Sequence, residues 1–263
     1  MSSLTVTNKE DIAISAEALQ CITVLEKKSG LAGISLNRTQ LLQFGRYYDL
    51  LTETNKVMNL TALTSPQDVA VKHYIDSLLC YDAALMKGKN VIDVGTGAGF
   101  PGIPLKIYDL SLQLILLDSL EKRLKFLKET VKLLQLSEVF FEHKRAEDAG
   151  RDKKLRGQAD VAVSRAVARL SVLAEYCLPL VKKNGYFIAL KGSKYKEELL
   201  EGEKALQILG GNVTAVKEVE LPGLNDGRAI IVIQKTRETP SRYPRRAGLP
   251  GKDPLGSCYG NSN

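Results

Sequence analysis

A glycine-rich turn behind a short apolar strand constrains the fold of this chain more than any other part of the sequence. Residues 90–104 read NVIDVGTGAGFPGIP, in which residues 91–94 form an apolar strand pattern and glycines stand at positions 95, 97, 99 and 102. An apolar, helix-compatible run continues to residue 108. Glycines at this density allow tight turns and bring main-chain N–H groups close to a ligand. The stretch therefore predicts a strand, turn and helix that bind a nucleotide-like ligand.

Strand and helix patterns alternate from this turn onward, which predicts a parallel sheet with helices on both faces. The strand patterns cover residues 91–94, 112–117, 139–142, 161–164, 186–190, 213–221 and 230–234. The helical patterns between them cover residues 104–108, 121–134, 167–180 and 195–209. Because no helix separates the last two strands, we expect them to form an antiparallel pair at one edge of the sheet.

The residues ahead of the glycine turn predict an all-helical segment. Apolar residues recur at helical spacing across residues 4–28, and a second apolar face follows Ser35, a candidate N-cap. Residues 55–65 are polar and loop-like, and Ser65 with Pro66 then indicates the start of a third helix. We divide the chain into a helical segment (1–85), a sheet domain (86–236) and a tail (237–263).

The tail is rich in proline, glycine and arginine, a composition that predicts an extended and partly disordered segment. Its RYPRR run places arginines beside a tyrosine, which suits phosphate contact and base stacking. A solubilising terminus is the alternative, and composition does not separate the two. The net charge of +7 favours a polyanionic partner.

Composition and spacing also argue against several classes of protein. No apolar run approaches the ~20 residues that span a bilayer, and the N-terminus lacks the layout of a secretory signal, so we expect a cytoplasmic protein. The two histidines and four cysteines are widely separated in sequence. Neither a metal site nor a disulfide framework is therefore indicated.

The glycine pattern alone does not identify the ligand. Residues 97–102 match GxGxxG, which by itself favours a nicotinamide-dependent oxidoreductase. Asp93 favours S-adenosylmethionine, because a carboxylate there can face the cationic end of a methyl donor through water or backbone N–H groups. Asp118, at the end of the second strand, suits the ribose hydroxyls of either cofactor. The final strand pair favours a seven-stranded methyltransferase sheet over a dinucleotide domain.

Both acids also have a structural interpretation. Asp93 is then a strand-end acid that caps the turn. Asp118 or Ser119 is then the N-cap of the helix that follows the second strand. The two acids together favour the ligand-binding interpretation.

Seven runs of sequence resemble a known family when they are taken in order. They are NLTAL (59–63), VKHYIDSL (71–78), DVGTGAGFPGIPLKI (93–107), LLDSLEKRLKFL (116–127), RAED (145–148), SRAVARLSVL (164–173) and YPRRAGLPGKDPL (243–255). The chain closely resembles the bacterial glucose-inhibited division protein B family, the small-subunit ribosomal RNA guanine-N7 methyltransferases, over roughly residues 19–255.

The resemblance implies a Rossmann-like, class I S-adenosylmethionine-dependent methyltransferase fold with a seven-stranded mixed sheet. It implies transfer of a methyl group to N7 of one guanine in the decoding-region loop of 16S ribosomal RNA, as free RNA or in the small ribosomal subunit. We expect a monomer without a metal. Carried over by motif, the cofactor contacts fall on Gly95, Phe100, Ala146, Glu147 and Arg165. Asp93, Gly97 and Asp118 join them from the arguments above.

Methylation of guanine N7 needs no general base, because the neutral base already carries an exposed lone pair there. Catalysis would then rest on alignment and electrostatics. Arg165 is the candidate for positioning the base, since ligands bind at the carboxyl edge of doubly wound sheets. Its alternative is an exposed strand-end arginine bound to a neighbouring acid. His73 either reaches the active-site mouth or packs between helices against Asp76, which the three-residue spacing favours.

The expected RNA contacts are the basic residues of the tail and one strand-end lysine. They are Lys191, Arg242, Arg245, Arg246 and Lys252. For Lys191 a solvated edge lysine is the alternative, and the role of Asn59 stays open. A non-catalytic RNA-binding assembly factor that keeps the methyltransferase fold is the second alternative to a methyltransferase, beside the oxidoreductase.

Overall fold

In the computed structural model, which describes residues 14–224 and 226–256, seven strands form one mixed sheet in the order β3-β2-β1-β4-β5-β7-β6. The strands are β1 (Asn90–Val94), β2 (Gln113–Asp118), β3 (Val139–His143), β4 (Ala159–Arg165), β5 (Val181–Lys191), β6 (Gly211–Val219) and β7 (Arg228–Lys235). Neighbours from β3 to β5 are parallel, and β7 is antiparallel to both β5 and β6. The predicted fold class, with its last strand antiparallel, is confirmed.

Helices cover both faces of the sheet. They are α1 (Ala16–Leu31), α2 (Arg38–Met58), α3 (Pro66–Asp68), the π-helical segment (Val69–Ile75), α4 (Asp76–Leu78), α5 (Ala83–Met86), α6 (Gly102–Tyr108), α7 (Glu121–Leu133), α8 (Ala146–Ala149), α9 (Leu170–Cys177), α10 (Tyr195–Leu209) and α11 (Leu249–Lys252). No helix of the described residues is long and apolar enough to cross a membrane.

Successive strand residues point to opposite faces, and this alternation separates two hydrophobic clusters. Val91 of β1 packs with α1, α2, the π-helical segment, α6 and α7 on one face. Ile92 packs with α9 and α10 on the other face. The N-terminal helices therefore share one core with the sheet, and this packing brings their side chains to the carboxyl edge of β1.

The second helix differs from its prediction at both ends. Asn37, and not Ser35, is its N-cap, because Asn37 and Gln40 exchange hydrogen bonds of 2.8 and 2.9 Å in a capping box. The helix continues to Met58, so the loop predicted from residue 55 is wrong for its first part. Asn59 ends α2 in the left-handed conformation, with φ of 51°.

The first and third helices agree in part with the sequence patterns. The N-cap of α1 is Ser15, and the part of its pattern before residue 14 lies outside the described residues. Ser65 caps the third helix through its side chain, with Pro66 in the first turn, as predicted. The chain then widens into the π-helical segment, which the sequence pattern did not indicate.

The helix predicted over residues 167–180 is shorter than expected. It begins at Leu170 and ends at Cys177, and β5 begins at Val181 and not at residue 186. The short helix α8 had no strong pattern of its own. Residues 166–168 form a bend between β4 and α9, and two of them, Ala166 and Val167, line a cavity.

The tail packs against the sheet domain, so the prediction of an extended segment is wrong for residues 237–256. Arg156 donates hydrogen bonds of 2.7 Å from Nη1 to the carbonyl of Tyr243 and from Nη2 to the carbonyl of Thr239. Arg245 forms an ion pair of 2.8 Å with the fully buried Glu175. Composition did not reveal these partners, because both lie far from the tail in sequence.

Candidate active site

A cavity of about 520 Å³ opens at the carboxyl ends of β1, β2 and β4. Most of the predicted cofactor residues line it, namely Gly95, Gly97, Phe100, Asp118, Ala146, Glu147 and Arg165. The volume lies in the range of small-molecule sites, roughly 300–1,000 Å³. The sheet thus gathers side chains that are separated by up to seventy residues of sequence into one site.

The glycine turn forms the floor of this cavity. Gly95 has φ of +73°, and a Cβ there would lie 2.7 Å from Cγ2 of Val167. Tyr47 of α2 donates a hydrogen bond to the carbonyl of Ala98, and a Cβ on Gly99 would lie 2.6 Å from the Tyr47 hydroxyl oxygen. A larger residue at either glycine would therefore disturb the turn. The N-terminal helices fix this turn from behind.

Asp118 lies between the glycine turn and α7, but the N-cap of α7 is Leu120, so the prediction of Asp118 or Ser119 as the N-cap is wrong. Its Oδ1 accepts a 2.9 Å hydrogen bond from the N–H of Leu120, the residue that precedes α7. Its Oδ2 accepts from the Gly97 N–H at 2.9 Å and from Arg123 at 3.3 Å. The side chain also lines the cavity. Asp118 therefore ties the glycine turn to β2 at the cavity wall.

Asp93 is not part of the cavity wall, which corrects its assignment as a cofactor contact. Its side chain is fully buried, and Oδ2 accepts hydrogen bonds from Thr96 Oγ1 at 2.7 Å and from the Gly102 N–H at 2.9 Å. Burial raises the pKa of the Asp93 carboxyl to about 6. Asp93 caps the turn from behind, which was the alternative interpretation.

Arg165 lies on the cavity wall in a fixed orientation. Its Nη1 donates to Asp76 Oδ2 and to the carbonyl of Lys72, each at 2.8 Å. The guanidinium carbon lies 5.0 Å from the centre of the Phe100 ring, a cation–π distance. Arg165 is therefore bound to an acid, as the alternative interpretation held. It is not exposed as that interpretation expected, because its side chain is only 12% exposed.

His73 lines the cavity, and its preferred interpretation as a partner of Asp76 is wrong. Asp76 binds Arg165 and Arg228 instead. The His73 ring stacks on Phe100 with centroids 4.4 Å apart, and its Nδ1 lies 3.0 Å from Arg165 Nη2. The three-residue spacing was misleading because the π-helical segment changes which side chains meet.

The hydrogen bonds of His73 determine its tautomer. A guanidinium only donates, so Nδ1 must accept from Arg165 and the ring proton lies on Nε2, which donates to Thr61 Oγ1 at 2.9 Å. Burial, with the nearby charge of Arg165, lowers the pKa of His73 to about 3. The imidazole is therefore neutral, with both nitrogens engaged.

The tail contributes to the same cavity through Gly248. Glu147 of α8 accepts a 2.8 Å hydrogen bond from the Gly248 N–H, and Gly248 itself lines the cavity. Sequence reasoning missed Gly248 because it assigned the tail to RNA alone. It also missed Thr61 and Tyr176 as wall residues. For Thr61, its place in the NLTAL run of the family resemblance was the sequence signal that could have identified it.

Two predicted RNA contacts are occupied by internal partners, which corrects their assignment. Lys191 is buried, donates to the carbonyl of Ala168 at 2.7 Å and pairs with Glu198 at 2.6 Å. Arg245 pairs with the buried Glu175. By contrast, the remaining predicted contacts are exposed on the tail: Arg242, Arg246 and Lys252. Among the described residues, no group of three or more metal-ligating side chains comes together.

The chain is similar to a known family over most of its length. A family model described as rRNA small subunit methyltransferase G matches residues 40–226. A protein named Ribosomal RNA small subunit methyltransferase G from Desulforamulus reducens is 49% identical over 221 residues, which cover 84% of this chain and 92% of that protein. One of the same name from Lactobacillus johnsonii is 49% identical over 235 residues, 88% of this chain and 98% of that one.

Among solved structures, the ribosomal protein L11 methylase from Lactobacillus delbrueckii subsp. bulgaricus aligns with a TM-score of 0.49 at 17% identity. The alignment covers 63% of this chain and 79% of that chain.

Proposed function

The chain belongs to the rRNA small subunit methyltransferase G family, and we propose that it transfers a methyl group from S-adenosylmethionine to N7 of one guanine in 16S ribosomal RNA. The observation that carries the proposal is the state of the titratable groups around the cavity. The side chains that would serve as a general base there are already engaged in hydrogen bonds. This arrangement supports a reaction in which the nucleophile needs no deprotonation.

His73 illustrates this point. Its Nδ1 lone pair accepts from Arg165, and its Nε2 carries the ring proton, so neither nitrogen is free to remove a proton. Asp118 accepts from two main-chain N–H groups and from Arg123. Glu147 accepts from Gly248. Guanine N7 meets the requirement, because its lone pair is available in the neutral base.

The cavity residues also fit S-adenosylmethionine. The positive φ of Gly95 and the position of Val167 leave no room for a Cβ. Because glycine has no side chain, this part of the cavity floor stays open to a ligand. The Asp118 carboxylate, at the end of β2, suits the ribose hydroxyls. When bound, S-adenosylmethionine supplies a sulfonium methyl group, which bonds to the N7 lone pair while the electron pair of the broken S–C bond stays on sulfur.

Arg165 then acts by alignment. Asp76, Lys72 and His73 hold its guanidinium in one orientation at the cavity wall. Preorganised groups of this kind contribute to catalysis without reorganisation during the reaction. The exposed Arg242, Arg246 and Lys252 lie on the same tail as Gly248, so an RNA bound to them would approach this cavity.

Methyl transfer from labelled S-adenosylmethionine tests the proposal. The purified chain is incubated with free 16S RNA and with small subunits that lack the modification, and the modified nucleotide is mapped by the strand cleavage to which 7-methylguanosine is susceptible. We expect label on one guanine. Absence of transfer to both substrates would favour a non-catalytic assembly factor. Calorimetric titration that finds binding of a nicotinamide cofactor and none of S-adenosylmethionine would favour an oxidoreductase.

A further inference from the structure

A second cavity of about 610 Å³ lies beside the first. The two share one wall, formed by Arg165, Ala166 and Val167 at the end of β4. The second cavity also borders the end of β5 and the start of β7, which the antiparallel direction of β7 brings to the same edge of the sheet. A group held in the second cavity is therefore separated from the first cavity, the proposed cofactor site, by this shared wall.

The lining of this second cavity is made of ion pairs. Asp76 binds Arg165 at 2.8 Å and Arg228 at 3.0 Å. Asp226 binds Arg228 at 2.7 Å, and Glu198 binds Lys191 at 2.6 Å. These fixed charges suit a ligand with polar edges, such as a nucleobase, better than an apolar one.

Asp226 differs from the other acids of this lining because one of its carboxylate oxygens is buried without a hydrogen-bond partner among the described residues. Both of its hydrogen bonds with Arg228, from Nε and Nη2, fall on Oδ2 at 2.7 Å. Its Oδ1 is buried and has no partner among the described residues, and buried oxygens of this kind are rare. The side chain as a whole is 35% exposed, so a rotation of the carboxylate would present Oδ1 to a ligand in the cavity.

Glu198 is occupied by contacts within the fold. Its Oε2 accepts from the Leu170 N–H at 2.8 Å, at the start of α9, in addition to pairing with Lys191. Glu198 thereby holds α9, α10 and β5 together. Asp226 instead binds Arg228, two residues further along the chain. Glu198 thus has a role in joining three elements of the fold, whereas Asp226 contacts only its near neighbour Arg228 and is the better candidate for a ligand contact.

We propose that the second cavity holds the target guanine and that Asp226 accepts hydrogen bonds from its N1–H and 2-amino groups. This inference rests on the proposed function. A carboxylate matches that edge, because guanine presents two adjacent donors there whereas adenine presents an acceptor at N1. Asp226 lines only the second cavity. Guanine N7 lies on the opposite side of the purine from this edge, so a base bound in this way leaves N7 free to meet the methyl donor.

Inosine provides the test, because it retains N7, O6 and N1–H and lacks only the 2-amino group. Ribosomal RNA with guanine or inosine at the methylated position is supplied in whichever form the wild type methylates. We expect inosine to lower kcat/KM of the wild type at least about tenfold, as for loss of one hydrogen bond to a charged group. For Asp226→Ala, which removes the acceptor of both donors, we expect at least this loss on guanine RNA and little further loss with inosine.

Several controls separate loss of base recognition from misfolding and from loss of cofactor binding. Calorimetry with S-adenosylmethionine and thermal unfolding report whether Asp226→Ala is folded, and Asp226→Asn provides a variant of nearly the same size. Glu53→Gln removes an exposed acid from α2 and should keep the wild-type response to inosine. If the wild type methylates guanine N7 but Asp226→Ala loses activity equally on both RNAs, or loses none, the inference is overturned and the proposed function stands. No methylation of guanine RNA by the wild type would instead refute the proposed function.

Discussion

Arg165 donates a hydrogen bond from Nη2 to Nδ1 of His73 at 3.0 Å and so connects the end of β4 to the π-helical segment. The same two side chains contact Phe100, which belongs to the glycine turn. Three stretches that are far apart in sequence therefore meet at one point of the cavity wall. The hydrogen bond requires a neutral His73, and this requirement makes the stability of the protein depend on pH.

His73 should destabilise the fold in acid. In the unfolded chain it binds a proton below its ordinary pKa of 6.5, whereas in the folded protein it does so only near pH 3. Stability is therefore lost as the pH falls from 6.5 toward 3, at up to about 1.4 kcal/mol per pH unit. Denaturant unfolding of the wild type and of His73→Gln at several pH values measures this difference.

Asp93 contributes a pH dependence of the opposite sign. Its folded pKa is raised from 3.8 to about 6, so the folded state binds the additional proton, and stability is lost as the pH rises through this window. The wild type alone therefore shows only the sum of the two effects. Because His73→Gln keeps Asp93, the difference between the two proteins isolates His73. Parallel curves for the two proteins would contradict the assignment of a neutral buried histidine.

Gly95→Ala should weaken binding of S-adenosylmethionine at least about tenfold. The methyl group would contact Val167 at 2.7 Å, in a backbone conformation that disfavours side chains. Gly33→Ala is the matched control, because Gly33 has a similar φ of +71° with no atom within 4 Å of an added Cβ. Isothermal titration calorimetry measures both. An equal loss of affinity in the two variants would mean that backbone strain, and not the cavity floor, is responsible.

Arg245→Met should lower the free energy of unfolding by about 3 kcal/mol, because it removes the cation from a buried carboxylate. Glu175 is fully buried and pairs with Arg245 at 2.8 Å. Its neighbour Arg246 is exposed, so Arg246→Met should change stability by less than about 0.5 kcal/mol. Urea unfolding measures the two variants side by side. Similar stabilities would show that the tail is not held by this ion pair.

Deleting residues 237–263 should reduce affinity for S-adenosylmethionine as well as for RNA. Gly248 lines the first cavity and binds Glu147, so the tail belongs to both sites. The sequence had instead assigned the tail to RNA binding alone. Calorimetry with the cofactor tests this expectation, and circular dichroism shows whether the truncated protein remains folded. Unchanged cofactor affinity in a folded truncated protein would contradict this expectation and would support a tail that serves RNA binding alone.

Replacing Arg242, Arg246 and Lys252 together by glutamine should weaken RNA binding and reduce its dependence on salt. Each phosphate contact to single-stranded RNA contributes about 0.7 to the slope of log affinity against log salt, so the slope should fall by about 2. The control is a second triple glutamine variant that removes the same charge from exposed lysines outside the tail. These are Lys27 on α1, Lys132 on α7 and Lys183 on β5. Filter binding at several salt concentrations measures both slopes, and equal changes would indicate a non-specific charge effect.

Local patterns in the sequence were sufficient for the sheet and for the floor of the cavity. The alternation of strands and helices predicted seven strands, and the missing helix before the last strand predicted its antiparallel direction. Asp118 was recognised because a strand end has a fixed place in such a sheet. Ser65 and Pro66 marked a helix start because an N-cap depends on adjacent residues alone.

Only the tertiary structure decided which side chain each polar group meets. Asp93 and Asp118 occupy similar strand-end positions, yet one is buried behind the turn and the other lines the cavity. Arg245 and Arg246 are adjacent, but only Arg245 reaches the buried Glu175. Periodicity and capping are short-range properties that a sequence displays directly. Ion pairs, burial and the pKa of a side chain depend instead on distant residues, which the chain brings together only when it folds.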